Sequence, residues 1–157
     1  PIDPMDLAKN PYIAYSCIRT LGDVAVVANG TQADTVLEKI SDGMRPLEAI
    51  GLTLLAYGYE RDELDTPRLA GAVKGRYGWL GTVQRGELMV KEYLLKDGDA
   101  FMVATYEKTG PERIELSGKD AGEVAQGMFD LAFERPVCSA AAFYSGREYL
   151  LAAYNPV

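Results

Sequence analysis

Between Leu69 and Leu116 the chain is a succession of strand-like runs, Leu69 to Val73, Trp79 to Gln84, Leu88 to Leu95, Phe101 to Tyr106 and Arg113 to Leu116. Only brief turn signals part them: Gly75, Arg85-Gly86, Asp97-Gly98-Asp99 and Thr109-Gly110-Pro111. Connections of that kind make hairpins, so neighbouring strands pair antiparallel. Ahead of them lie two adjacent helix patterns. From Thr31, Val36, Leu37, Ile40 and Met44 form one apolar stripe, with Thr31 to Asp34 as a capping-box-like start and Gly43 near the stop. Pro46 opens the second helix, where Leu47, Ile50, Leu54 and Leu55 share a buried face and Gly58 serves as C-terminal cap.

The flanks complete the pattern. Asn10-Pro11 leads into a strand from Tyr12 to Arg19, Thr20 to Asp23 turns the chain, and Val24 to Ala28 is an apolar run of the sort buried on both faces. A third helix starts at Asp120 with Glu123 as reciprocal cap, carries Val124, Met128 and Leu131 on one face, and ends before Pro136. Val137 to Tyr144, Ser145-Gly146 and Arg147 to Tyr154 form a closing hairpin, whose small Ser139 to Ala142 run implies something packed tightly against it. Adjacent helices followed by hairpin-linked strands indicate an α+β protein with antiparallel sheets covered by helices, not a doubly wound sheet.

With 157 residues, 48% of them hydrophobic, one domain over residues 1–157 with one core is expected. Sixteen Lys plus Arg against 23 Asp plus Glu give a net charge of −7, a field that repels a phosphate backbone and argues against nucleic acid as a partner. No apolar stretch approaches a membrane span, so no membrane partner is expected and the chain reads as cytoplasmic. Cys17 and Cys138 each sit in an apolar strand-like run, where a free thiol packs as a small hydrophobe and suits a reducing compartment. There is no histidine, which removes imidazole-based acid–base chemistry and the usual triads and mixed zinc sites. Chemistry must therefore come from Tyr, Lys, Arg and carboxylates. No phosphate loop, dinucleotide fingerprint or metal-ligand cluster is present, so neither metal nor cofactor is expected.

Three places could carry such chemistry. Tyr59 to Asp65 sets four acids and one base after a helix C-terminus, where the macrodipole disfavours negative charge. It is either a solvated acidic loop or the source of a general base. Tyr12 and Tyr15 fall on opposite faces of a strand, and one of them could donate a phenol hydrogen bond to an oxyanion. Asn29-Gly30-Thr31, at a strand-to-helix junction, is a plain turn and cap or a presenter of backbone N–H groups to an anion.

Longer runs carry a family resemblance. Asn10 to Arg19, the Asn29-Gly30-Thr31 to Asp34-Thr35 segment and Tyr59 to Arg68, with looser similarity through Ala104 to Thr109 and Pro136 to Phe143, together resemble the archaeal-type IMP cyclohydrolases. The resemblance implies a four-layer αββα sandwich of the N-terminal-nucleophile-hydrolase type, lacking the nucleophile that names that fold. It also implies closure of 5-formamidoimidazole-4-carboxamide ribonucleotide to IMP with loss of water, without metal or cofactor. Tyr15 and Glu60 fall on the family's active-site positions, Tyr15 to hydrogen-bond the formyl oxygen and Glu60 to accept a carboxamide proton. Arg61, Asp62 and Glu63 are expected as neighbours contacting substrate, with Asn29 beside them. Family members begin with a further strand and an arginine-bearing loop that have no counterpart before Pro1. The substrate phosphate is then expected on Arg19 or another basic residue. A non-catalytic relative that binds purine nucleotides or serves as an assembly subunit is the alternative. A long β meander with an exposed edge makes a homo-oligomer reasonable.

Overall fold

A computed structural model describes residues 15–106 and 109–156. Its main feature is a five-stranded antiparallel sheet in the order β1-β2-β3-β4-β5, formed by Ile18–Leu21, Val24–Ala28, Arg68–Lys74, Tyr77–Gln84 and Glu87–Leu94. Two helices, α1 (Gln32–Ser41) and α2 (Pro46–Tyr57), connect β2 to β3 and lie on one face of that sheet. Two smaller antiparallel pairs follow: β6 (Phe101–Met102) with β7 (Glu112–Arg113), and β8 (Ser139–Tyr144) with β9 (Tyr149–Tyr154). Between those pairs runs α3 (Ala121–Phe129), which packs on β8 and β9, while β8 in turn touches β1. The mixed α+β class with antiparallel sheets is thus as the hairpin spacing required. Among the described residues no helix is long and apolar enough to cross a membrane.

The core forms where the helix stripe meets one side of the sheet. Val24, Val26 and Ala28 of β2 and Ala70 and Ala72 of β3 pack against Ala33 and Val36 of α1 and Ala49, Ile50 and Leu54 of α2, with Trp79 and Val83 of β4 completing the cluster. Period-two alternation puts Ala25 and Val27 on the opposite face, where Ala25 is buried but Val27 is 45% exposed, so β2 is buried on both sides over only part of its continuous apolar run. Both α1 and α2 end as their glycines predicted. Gly43 has φ +94°, and the Met44 N–H bonds back to the Lys39 carbonyl while the Gly43 N–H bonds to that of Ile40, a Schellman closure. Gly58 has φ +63° and its N–H reaches the Leu54 carbonyl.

Several local expectations fail, each for an identifiable reason. Residues 12–14 of the first expected strand lie outside the described residues; β1 itself begins only at Ile18 and runs through Thr20 and Leu21 before Gly22 turns the chain at φ +56°. Leu55 is 65% exposed, because Ala49, Ile50, Thr53 and Leu54 already fill the buried side of α2. The Thr31 side chain caps nothing; Asp34, its expected reciprocal partner, pairs with Arg19 instead. At α3 the Asp120 carboxylate does accept from the Glu123 N–H at 2.9 Å, but Glu123 reaches past the cap to the Lys119 N–H. Phe101 to Tyr106 yields only the two-residue β6, since its partner β7 is equally short. Cys17 and Cys138 are both exposed: each precedes its strand, outside the pleat that would have buried it.

Two glycines in facing positions test the packing between α2 and the sheet. A Cβ on Gly81 of β4 would meet Ile50 Cγ2 at 2.5 Å and Leu54 Cδ1 at 2.8 Å, whereas one on Gly51 of α2 would meet only Val90 Cγ2 at 3.6 Å. Gly81→Ala should destabilise by about 1–3 kcal/mol through overpacking. Gly51→Ala should stabilise by about 0.5–1 kcal/mol through helix propensity. Opposite shifts in melting temperature are the expected result, and shifts of the same sign would contradict this packing.

Candidate active site

Where β2 stops, Asn29 becomes a junction. Its side-chain amide donates to the Pro67 carbonyl at 2.9 Å and to Thr105 Oγ1 at 3.5 Å, and its Oδ1 accepts from the Leu69 N–H at 2.8 Å and from Gln32 Nε2 at 2.9 Å. Gln32, fully buried at the start of α1, spends its second amide hydrogen on the Leu69 carbonyl at 3.0 Å. Those bonds lock the β2–α1 turn to the entry of β3. Gly30 is required inside this turn, because a Cβ there would lie 2.4 Å from Gln32 Oε1 and 3.1 Å from Arg68 Nη1.

Arg68, the first residue of β3, lies opposite Val83 in the register and so points to the helix-covered face. Its Nη1 forms an ion pair with Glu60 Oε1 at 3.0 Å and donates to Gln32 Oε1 at 3.5 Å, and its guanidinium carbon sits 5.7 Å from the centre of the Tyr57 ring. The Tyr57 hydroxyl in turn bonds Thr35 Oγ1 at 2.9 Å. The Arg68 side chain is 20% exposed against 42% for Glu60, so the carboxylate faces solvent and the guanidinium backs it.

The acidic stretch after α2 is a closed loop and not a loose run of charges. The Glu60 N–H bonds the Thr66 carbonyl at 2.8 Å, and Asp62 accepts from the Leu64 N–H, the Thr66 N–H and Thr66 Oγ1 at 3.2, 2.9 and 2.6 Å. Bonds from the Thr66 hydroxyl and backbone hold the Asp62 carboxyl below its usual pKa of 3.8. Asp65 turns the chain with φ +49° and pairs with Arg85 at 3.1 Å. Arg61 and Glu63 are exposed on the rim.

Tyr15 stands on the other side of the sheet. With Ser16, Cys17 and Ile18 it faces Ala140 and Ala141 of β8 and Leu151, Ala152 and Ala153 of β9 across an open cleft of about 340 Å³. The Cys17 carbonyl accepts from the Ala28 N–H at 2.9 Å, which ties this segment to the end of β2 just before Asn29. Partial burial raises the Tyr15 phenol above its usual pKa of 10.0, and the charges of Cys17 and Glu60 push it further in the same direction. Tyr15 is therefore a proton donor throughout the neutral range, in electrostatic reach of Glu60.

Of the seven residues singled out in the sequence, Tyr15 and Glu60 are linked only by the Glu60 charge acting on the phenol, while Asn29 is engaged in internal bonds around Arg68. Asp62 is occupied in shaping the loop. Arg19 lies across from Val26, on the helix side of the sheet, and forms an ion pair with Asp34 whose hydrogen bond raises the guanidinium pKa. Sequence reasoning missed Arg68 and Gln32, and it named Gly30 only as part of the Asn29-Gly30-Thr31 junction. Arg68 stood at the end of the quoted Tyr59 to Arg68 run, but nothing in residue type or spacing separated it from the other basic residues. Among the described residues, no group of three or more potential metal ligands comes together.

Residues 1–148 match the IMP cyclohydrolase-like protein family. The chain is 54% identical over 156 residues to an IMP cyclohydrolase of Methanothrix thermoacetophila, covering 99% of this chain and 78% of that protein. It is 46% identical to one from Methanocella arvoryzae, covering 99% and 77% of the two chains, and 42% identical to one from Natronomonas pharaonis, covering 99% and 79%. This chain belongs to the IMP cyclohydrolase-like family.

Proposed function

We propose that this protein is an IMP cyclohydrolase, closing 5-formamidoimidazole-4-carboxamide ribonucleotide to IMP with loss of water. The observation that carries the reading is membership of the IMP cyclohydrolase-like family, with a 54% identical relative named IMP cyclohydrolase; at the site, Tyr15 and Glu60 are the phenol and carboxylate that the reaction would use. In the ring closure the carboxamide nitrogen attacks the formyl carbon, forming the new C–N bond, and the formyl oxygen gathers negative charge. A phenol held in its neutral form can donate to that oxygen. A solvent-facing carboxylate can accept the proton lost by the attacking nitrogen. The oxyanion takes a proton from Tyr15, the resulting hydroxyl leaves as water with the proton that Glu60 accepted, and the former formamido nitrogen releases its N–H proton to restore the phenol as the ring C=N bond forms. Because both reacting groups belong to one molecule, holding them in contact supplies much of the acceleration. None of these steps calls on histidine, metal or cofactor.

The remaining residues take supporting roles in this reading. Arg61 and Glu63 on the exposed rim are placed to meet substrate, with Asp62 shaping the loop that presents them. Arg19 is a candidate for the phosphate, once freed from Asp34. We further propose a four-layer arrangement within a single domain: α1 and α2, the five-stranded sheet, the β8–β9 pair, then α3. The contact of β1 with β8 and the cleft between them support it. A cytoplasmic setting fits two free, exposed thiols.

The direct experiment incubates the formamido ribonucleotide with the protein and a chelator and follows the absorbance of IMP. Turnover unaffected by chelator is expected; chelator-sensitive turnover would overturn the cofactor-free mechanism, and nucleotide binding without turnover would favour a non-catalytic relative. Glu60→Gln should lower kcat by about 10²–10⁴ with the fold intact. Asp65→Asn, in the same loop but at a left-handed position that Asn tolerates, should leave turnover near that of the native chain. Equal small effects from both would return Glu60 to the role of a solvated loop acid.

Tyr15→Phe should lower kcat about 10- to 1000-fold without unfolding. The raised phenol pKa adds a pH signature. The phenol pKa is raised above its usual 10.0, so the midpoint of any alkaline fall in kcat caused by its ionisation should lie above that pH. A fall at lower pH that disappears in Tyr15→Phe would contradict the assignment of Tyr15 as a donor.

A further inference from the structure

The Arg68 guanidinium is fixed from several sides by groups that are themselves fixed. Gln32, fully buried, is held by Asn29 and by the Leu69 carbonyl, and it offers its Oε1 to Arg68 Nη1. The Tyr57 ring lies against the guanidinium, with its hydroxyl tied to Thr35. Pro67, directly before Arg68, has its carbonyl bound by Asn29, so the backbone leading into the side chain is held too. Gly30 leaves the space in which Nη1 and Gln32 Oε1 meet.

Glu60 is the exposed member of this group, and Nη1 reaches it through Oε1. Arg68 Nε is buried and finds no hydrogen-bond partner among the described residues. An arginine placed only to stabilise the fold would be expected to satisfy that donor, because a buried N–H without a partner is unfavourable. Here the side chain leaves Nε unmatched while Nη1, bonded to Gln32, is held 3.0 Å from one carboxylate oxygen as an ion pair.

We propose that Arg68 is a positioning residue for the cyclisation: it anchors Glu60 through Oε1, so that Oε2 stays free and correctly aimed to take the carboxamide proton. The inference rests on the reading of Glu60 as the base. Arg68 lies behind the carboxylate, on the helix-covered face, and acts on the substrate only through Glu60. A flexible carboxylate on a surface loop would sample many rotamers, and a displacement of about 1 Å at a reacting group can cost on the order of 10²-fold in rate. Lysine at this position would keep the charge but lose the planar group that both stacks on Tyr57 and directs its N–H.

The test is a double-mutant cycle on the full chain, with kcat and KM measured for Arg68→Met, Arg68→Lys, Glu60→Gln and the Glu60→Gln/Arg68→Met pair, each checked by circular dichroism and melting temperature. Arg68→Met is expected to lower kcat about 10- to 100-fold with KM changed less than about threefold, and Arg68→Lys to fall between it and the native chain. In the Glu60→Gln background, removing Arg68 should cost no further activity, because there is no longer a base to aim. Losses that multiply would overturn the proposal by showing that Arg68 acts independently of Glu60. A raised KM with unchanged kcat would overturn it by making Arg68 a substrate contact. If Arg68→Met does not fold, Arg68→Lys carries the same comparison: a kcat loss that vanishes beside Glu60→Gln supports the proposal, and native kcat in Arg68→Lys refutes it. A native kcat in Glu60→Gln alone would bring down the base assignment and this inference together. A large Glu60→Gln loss beside a native kcat in Arg68→Met would bring down only the latter.

Discussion

One primary amide organises the end of the sheet where β2 stops and β3 begins. Asn29 sits where β2 gives way to α1, and it bonds to both sides of Arg68 in sequence: the Pro67 carbonyl before it and the Leu69 N–H after it. Two backbone groups that the β2–β3 ladder would leave unmatched at its end are thereby satisfied by a side chain. Gln32 extends the network one layer inward, and because it is fully buried its polar atoms have little choice of partner. Everything proposed for the site depends on these bonds. They place the guanidinium, the guanidinium holds Glu60, and the charge of Glu60 is felt at Tyr15.

The two halves of the site come from opposite sides of one sheet. Arg68 points toward α1 and α2, into the region of the main core, while Tyr15 faces β8 and β9 across the open cleft. Glu60 pairs with the guanidinium and its charge acts on the phenol from the loop that carries the chain from the end of α2 back to the start of β3. Closure of that loop by the Glu60–Thr66 bond and the Asp62 turn gives an acidic segment a defined shape, despite its position after a helix end that disfavours negative charge. The unfavourable charge placement and the internal hydrogen bonding are two aspects of one arrangement.

Regular elements were legible in the sequence because their signals are local. Pro46, Gly43 and Gly58 mark helix ends through backbone conformations that few other residues adopt, and the glycine-bearing turns at 75 and 86 mark hairpins for the same reason, whereas the turn at Gly98 leads from β5 to a strand of another sheet. Tyr15 and Glu60 were legible only through family resemblance, since a tyrosine and a glutamate have many ordinary uses. What stayed hidden was long-range. Nothing near Thr31 reveals that Asp34 pairs with Arg19, on another strand, and leaves the helix start without a side-chain cap. Nothing near Gln32 reveals that a polar residue in the first turn of a helix is wholly buried, because its partners Leu69 and Arg68 lie 37 and 36 residues away. Cys17 and Cys138 misled by sitting beside apolar runs whose strands begin just after them.

The strand pairing itself has a chemical meaning. Arg68 lies opposite Val83 in the β3–β4 register, and its guanidinium reaches Glu60 from that face alone. A slip of one residue between these strands would turn every side chain of β3 to the other side of the sheet, carrying the guanidinium away from Gln32, Tyr57 and Glu60. A misregistered sheet could still bury alanines and glycines, which are small enough for either face, and so retain much of its hydrogen bonding. The arginine distinguishes the two registers where the small residues cannot. Catalytic turnover would then count only molecules whose strands are aligned, including against compact misfolded forms that spectroscopy of secondary structure would score as native.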